Sequence, residues 1–148
     1  MPSRPFRVGR SSTGLGLFAI EPIEKKAVVV IYRGRLIPTP LAHERERRYG
    51  AKYMFEINRR WTIDGSSRRN LARYINHSCA ANTESVLRKG KMEFVALRRI
   101  APGEEITLDY GPEYFDLFIK ASGCRCAACK AKTRTKTKTA ARRSRRKR

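Results

Sequence analysis

The sequence predicts a mainly β fold of short strands with few short helices. Three observations carry this. Apolar runs are brief and β-branched, as over 27–32, or alternate with polar residues, as over 92–97. Breakers such as Pro22, Gly65 and Pro102-Gly103 recur between them. Only two segments, 41–49 and 112–119, read as helices of more than one turn.

In chain order, 6–8 reads as a short strand in an Arg-, Gly-, Ser- and Pro-rich lead-in, and 17–20 as a strand stopped near Pro22. Residues 27–32 form a buried strand. Thr39 is expected as N-cap, with Pro40 in the first turn of a polar surface helix over 41–49. Strands follow at 53–57 and at 61–64, the latter closed by Gly65, and 70–76 allows one helical turn. A strand at 92–97, the Pro102-Gly103 turn and a strand at 106–110 lead to a short helix over 112–119 carrying Tyr114, Phe115 and Phe118. No internal repeat is present.

The 148 residues suit one domain, and 41% hydrophobic content can supply its core. The formal net charge is +21, from 34 basic and 13 acidic residues. Residues 130–148 hold 11 of the basic residues and no acidic one, which leaves the body at +10. Such a field favours polyanions or nucleoprotein. The tail after Cys129 is Lys, Arg, Thr, Ala and Ser, too poor in apolar surface to offset its ordering entropy, and is expected to be disordered when unbound. No apolar run approaches the roughly 20 residues that span a bilayer, and the first ten residues lack the apolar core of a secretory signal. An intracellular protein is expected, whose thiols stay reduced.

Three segments carry chemistry. Arg73-Tyr74-Ile75-Asn76-His77-Ser78-Cys79-Ala80-Ala81-Asn82 sets consecutive polar groups beside apolar ones. Partly buried polar groups must be hydrogen-bonded, so this is a structured loop; composition leaves a purely structural role as open as a functional one. Cys124-x-Cys126-x-x-Cys129 places three thiols in six residues, and Cys79 supplies a fourth for a tetrahedral structural zinc site. Reduced thiols or redox activity are the alternatives. Gly14-Leu15-Gly16-Leu17-Phe18-Ala19 fits a dinucleotide-binding pattern, which needs a strand before it and a helix after it. Arg10-Ser11-Ser12-Thr13 is poor strand material and Pro22 breaks a helix, so the context argues against that use.

Together with Gly103-Glu104-Glu105-Ile106-Thr107-Leu108-Asp109-Tyr110-Gly111, Tyr32-x-Gly34 and Tyr53-Met54-Phe55, these segments resemble SET-domain protein lysine methyltransferases. The matches fall in the family's order and cover roughly residues 5–129. The resemblance implies a β-clip SET domain over 1–111, a zinc-binding segment like the family's post-SET region over 112–129, and a basic tail over 130–148. It implies S-adenosylmethionine as cofactor, with contacts from Gly14, Leu15, Gly16, Tyr53, Arg73, Asn76 and His77. Tyr110 takes the position of the catalytic tyrosine, and Tyr32 that of a residue lining the lysine channel. Cys79, Cys124, Cys126 and Cys129 take the zinc positions, and Phe115, Phe118 and Ile119 those of lids over the cleft, with packing onto the core as their alternative.

Three departures stand out. Two residues separate Cys126 from Cys129 where the common family form has four; Ala81 replaces a proline; and Leu108 stands where Phe or Tyr is frequent. That last position limits how many methyl groups fit, so Leu108 predicts di- or trimethylation. The implied substrate is a histone or another basic chromatin or nucleoid protein, in a nucleus or a bacterial cytoplasm. The tail is expected to bind nucleic acid. Arg134-Thr135-Lys136 and 139–144 resemble parts of a histone tail, so tethering to chromatin, methylation of the tail and blocking of the channel are all open; 142–148 could also serve nuclear import. The rivals are a DNA-compacting protein with an inactive SET-like body and a zinc-dependent binding module. The presence of Tyr110 and Asn76-His77 favours the enzyme.

Overall fold

The computed structural model describes residues 4–111, 123–124 and 126–130. The expected helix over 112–119, with Phe115, Phe118 and Ile119, and the tail from 131 onward lie outside the described residues.

The lead-in is a hairpin. β1 (Phe6–Ser11) pairs antiparallel with β2 (Gly14–Ala19), from Phe6 opposite Ala19 to Ser11 opposite Gly14. The buried strand is β3 (Val28–Tyr32), followed by β4 (Arg35–Pro38) and helix α1 (Thr39–Tyr49). Next come β5 (Met54–Glu56), β6 (Trp61–Asp64), one 3-10 turn (Leu71–Tyr74) and β7 (Asn76–His77). β8 (Thr83–Arg88), β9 (Lys91–Ala96) and β10 (Glu105–Leu108) complete the order.

Two sheets result. The larger runs β1-β2-β10-β8-β9-β3, with β7 joined to β10, and the smaller runs β4-β6-β5. No helix among the described residues is long and apolar enough to cross a membrane.

The sequence predicted no strand at β4, β7 or β8. β8 reads Thr-Glu-Ser-Val-Leu-Arg, without clear alternation, and is a strand because β9 pairs along its whole length. Lys89 and Gly90 both take positive φ, 50° and 74°, the two-residue turn whose twist matches a hairpin. β4 is held by β6 and β7 by β10, so tertiary pairing overrides weak local preference. The expected cap is also corrected. Pro38 caps α1, and Thr39 is its first residue. The Thr39 hydroxyl turns inward to the Asn58 carbonyl and the Thr62 hydroxyl, each at 2.9 Å, while its backbone N–H donates to the Arg60 carbonyl just before β6.

The core joins Leu17 and Ile106 to Phe94 and Ile100, all at most 1% exposed. Asn82 is a polar pin within this framework. Its amide donates to the Glu105 carbonyl at 2.8 Å and accepts from the Thr107 N–H at 2.9 Å, fixing β10 against the start of β8. Asn82→Ala leaves both backbone groups short of a partner, and a loss of about 2 kcal/mol or more in unfolding free energy is expected in a urea titration.

Candidate active site and cysteine cluster

The segment from Ile75 to Cys79 organises everything near it. Asn76 and His77 pair in parallel with Thr107 and Leu108, and the Ser78 N–H donates to the Leu108 carbonyl at 3.1 Å. Successive residues of a strand point to opposite sides, so this short segment reaches different neighbours with each side chain.

Asn76 reaches the glycine hairpin. Its Nδ2 donates to the Leu15 carbonyl and to Glu105 Oε1, both at 2.9 Å. Gly16 leaves room for this, since a Cβ at that position would sit 2.5 Å from Glu105 Oε1 and 3.2 Å from Asn76 Nδ2 and would push those side chains aside. Gly14, at φ 120°, opens the strand with clear space where a Cβ would stand. Gly14, Leu15, Gly16 and Asn76 are thus one neighbourhood.

His77 reaches the other way. Its side chain is only 7% exposed. Nδ1 accepts from the Tyr110 N–H at 3.1 Å, which places the ring proton on Nε2, 3.4 Å from the Cys79 sulfur. Burial lowers the His77 pKa, and Asp109, 3.8 Å from Nδ1, opposes that only in part. The imidazole is a neutral bridge between Tyr110 and Cys79.

Tyr110 lies just past β10. The expected strand over 106–110 ends at Leu108, because Asp109 Oδ1 accepts from the Gly111 N–H at 3.0 Å and turns the chain. The Tyr110 hydroxyl donates to the Ile75 carbonyl. A hydroxyl whose proton is committed in that direction is left with acceptor capacity toward the cleft.

Tyr110 and Leu108 face a cleft of about 560 Å³ that is also lined by Tyr32, Tyr53, Phe55 and Phe94. Tyr32 packs on Phe55 and Phe94, with ring centroids 5.1 and 5.8 Å away, and donates its hydroxyl to the Tyr53 carbonyl at 2.6 Å. Burial, reinforced by Asp64, pushes its phenol far above the usual range, so Tyr32 stays neutral. Gly65 permits this packing, since a Cβ there would meet the Tyr32 ring at 2.4 Å.

Tyr53 holds a positive φ of 68°, costly for a tyrosine. It is secured by the Tyr32 hydroxyl, by the Gly65 N–H on its carbonyl, and by the Arg73 guanidinium 4.2 Å above its ring. Arg73 also lines the cleft, and its buried Nε has no hydrogen-bond partner among the described residues. His43 is exposed at the cleft and bonded to Glu56 Oε2 at 3.1 Å.

The structure therefore gathers Tyr32, Tyr53, Arg73, Leu108 and Tyr110 around the cleft, and Gly14, Leu15, Gly16 and Asn76 in a separate group joined to it through Ile75-Asn76-His77. Positioning residues missed from sequence are Asn70, Asn82 and Glu105. Buried Asn70 donates to the Gly65 carbonyl and accepts from the Arg33 N–H, both at 3.0 Å. Asn82 closes the polar signature and could have been found there; nothing local marks Asn70 or Glu105.

The four cysteines converge. Their sulfurs lie within 4.8 Å of one another, with Cys79 3.8 Å from Cys124 and 3.6 Å from Cys129. Sulfurs bound tetrahedrally at about 2.3 Å are separated by roughly 3.8 Å, whereas a disulfide needs about 2.0 Å. The spacing fits a metal, and the two-residue gap between Cys126 and Cys129 is accommodated by one helical turn at 127–130. Burial pushes the Cys79 thiol up, and hydrogen bonds to Cys129 and Cys124 add to this. Burial also raises Cys126, but donors from Cys79, Cys129 and Cys124 outweigh it and bring that thiol to about 6. The cluster thus stabilises one thiolate readily, and full ionisation needs a central cation.

Comparison with known proteins agrees with this geometry. The SET domain model matches residues 14–111. Human histone-lysine N-methyltransferase 2D is 38% identical over 123 residues, 78% of this chain and 2% of its own length. The H3 lysine-4 specific histone-lysine N-methyltransferase of Schizosaccharomyces pombe is 41% identical over 105 residues, covering 65% of this chain and 11% of the relative. Among solved structures, Chaetomium thermophilum polycomb repressive complex 2 superposes with a TM-score of 0.70 at 30% identity, over 79% of this chain and 16% of that one. A structure of ctPRC2 in an autoinhibited conformation bound to S-adenosylmethionine gives 0.65 at 31% identity, over 74% and 15%. This chain spans only a small fraction of the length of these relatives. With the glycine hairpin, the Asn76-His77 strand and the Tyr110 turn assembled in one place, the chain belongs to the SET-domain family.

Proposed function

We propose that the protein is an S-adenosylmethionine-dependent protein-lysine N-methyltransferase that acts on a histone or another basic chromatin or nucleoid protein. The observation that carries this is the Tyr110 hydroxyl, anchored on Ile75 in an aromatic cleft, one strand away from the Asn76–Leu15–Gly16 group. The domain limits 1–111, 112–129 and 130–148 belong to the same reading.

S-adenosylmethionine supplies a methyl group on a positively charged sulfur. Gly14, Leu15, Gly16 and Asn76 would hold it by close backbone approach, with His77, Tyr53 and Arg73 beside them. The Arg73 Nε–H, buried without an acceptor, suits a carboxylate-bearing ligand. The attacking amine must be neutral, and a lysine of pKa near 10.4 costs about 3–5 kcal/mol to deprotonate near pH 7–8. Tyr32, Phe55 and Phe94 offer apolar walls that disfavour an ammonium. Tyr110 orients the amine as a hydrogen-bond acceptor, and alignment is worth several kcal/mol more. Cys79, Cys124, Cys126 and Cys129 would hold a structural zinc, to which the His77 Nε2–H adds an outer hydrogen bond. Through it the cluster holds Tyr110 in register. The relatives' names place their activity on histones, and we assign this chain to chromatin or a nucleoid, with the tail as its contact to nucleic acid.

Titration calorimetry with S-adenosylmethionine, followed by transfer of labelled methyl groups to histones and bacterial nucleoid proteins, tests the reading. Binding at one site and label on lysine are expected. Tyr110→Phe should lower kcat by about 100-fold while the fold survives, a loss typical of removing one oriented polar group. Binding without transfer by the unaltered chain would leave a binding module instead.

Leu108 is 6% exposed in the cleft wall. Mass spectrometry should find di- or trimethyllysine from the unaltered chain and mainly monomethyllysine from Leu108→Tyr. Monomethyl product alone from the unaltered chain contradicts the assignment of Leu108.

Atomic emission should find one zinc per chain. Chelation, or Cys126→Ser, should remove it and reduce methyl transfer at least 10-fold. Full activity in a metal-free preparation is the contrary result.

A further inference from the structure

Three carboxylates, Glu46, Glu56 and Asp109, line the cleft beside the basic Lys52 and Arg73, in a protein of net charge +21. Asp109 is 60% exposed, and Glu56 is 49% exposed although bonded to His43. Burial raises the Glu46 pKa, the nearby His43 opposes this in part, and the Glu56 charge adds to it. Glu46 and Glu56 are neighbouring carboxylates on an aromatic cleft that can attract a cationic chain, and the Lys- and Arg-rich segment after Cys129 begins close by.

How close follows from bonded neighbours. Cys129 lies 3.6 Å from Cys79, which lies 3.4 Å from His77, whose ring reaches the Tyr110 N–H at 3.1 Å. Allowing roughly 2 Å for the width of the imidazole, the Cys129 sulfur is at most about 12 Å from the Tyr110 backbone. Lys130 follows directly, exposed, its N–H on the Cys126 carbonyl.

We propose that the cleft takes the chain's own segment 131–138 and that the enzyme methylates Lys136 and Lys138 in cis. This rests on the methyltransferase reading above. Extended chain covers at most about 3.3–3.6 Å per residue. Seven residues from Cys129 to Lys136 therefore reach about 23 Å, nearly twice the separation, and leave residues on both sides of the target to lie along the acidic wall. Lys132 arrives only with its connector taut. Tethering raises the local concentration of the segment to the millimolar range without further contacts. In the reaction the lysine first loses its proton to solvent. Nζ then forms a bond to the methyl carbon as the carbon–sulfur bond breaks, and the sulfur departs as a neutral thioether.

The experiment incubates the full chain with methyl-labelled S-adenosylmethionine, alone and with a separate histone-like peptide. Peptide mass spectrometry should place label on Lys136 and Lys138 well ahead of Lys132. The rate of tail labelling per molecule should be unchanged over a 100-fold dilution. Lys136→Arg with Lys138→Arg should remove most tail label and leave peptide methylation intact, and Glu46→Gln should slow tail labelling several-fold. A labelled peptide beside an unlabelled tail overturns this inference and leaves the methyltransferase reading standing. Tail labelling that rises with protein concentration overturns the cis route. Label on neither overturns both.

Discussion

The parallel pairing of Asn76-His77 with Thr107-Leu108 is the constraint on which the site depends. Two stretches some thirty residues apart in sequence become adjacent strands, and each then delivers residues that neither could place alone. From one come Asn76, His77 and Cys79; from the other, Leu108 and Tyr110. The pairing is short, so its register is secured from outside by Asn82, which holds Glu105 and Thr107, and by the Thr83 hydroxyl on the Thr107 carbonyl at 2.7 Å. A slip of one residue would turn Leu108 out of the cleft and move Tyr110 away from Ile75.

The same pairing couples the cleft to the cysteine cluster. His77 stands between them as a neutral ring, its tautomer fixed by the Tyr110 N–H on one side and its proton directed at the Cys79 sulfur on the other. A structural metal site usually stabilises a loop. Here one imidazole joins the cysteine cluster to the Tyr110 backbone, so under the proposed function a cluster remote from the aromatic walls would bear on the chemistry. Electrostatics follow a complementary logic. Tyr32 is kept neutral, Phe55 and Phe94 give the cleft apolar walls, and exposed carboxylates line it, an arrangement that under the proposed function attracts a cationic chain and disfavours its charged form inside.

Much of this was legible in the sequence because the decisive residues are clustered. Asn76, His77 and Cys79 fall within four positions, Leu108 and Tyr110 within three, and the three C-terminal cysteines within six. Their chemistry is specific at that spacing: thiols for a soft metal, glycines for close approach, a tyrosine after a short strand. The strands β4, β7 and β8 were not legible, since each lacks alternation or length and exists through its partner. Thr39 misled for a related reason. A threonine before proline has the local preference of a cap, but a buried hydroxyl follows the nearest tertiary acceptors.

The sequence by itself determined the mainly β class, the candidate site residues, the uneven charge and the set of four thiols. Those depend on residue type and short-range spacing, which a linear chain displays. The tertiary structure decided which of them meet. It set Leu15 against Asn76 across 61 positions and Cys79 against Cys129 across 50. It also stood the Tyr110 hydroxyl on Ile75 and gathered three carboxylates at one rim. Such contacts are fixed by sheet register and by the satisfaction of buried polar groups, energies that arise only once distant segments are packed together.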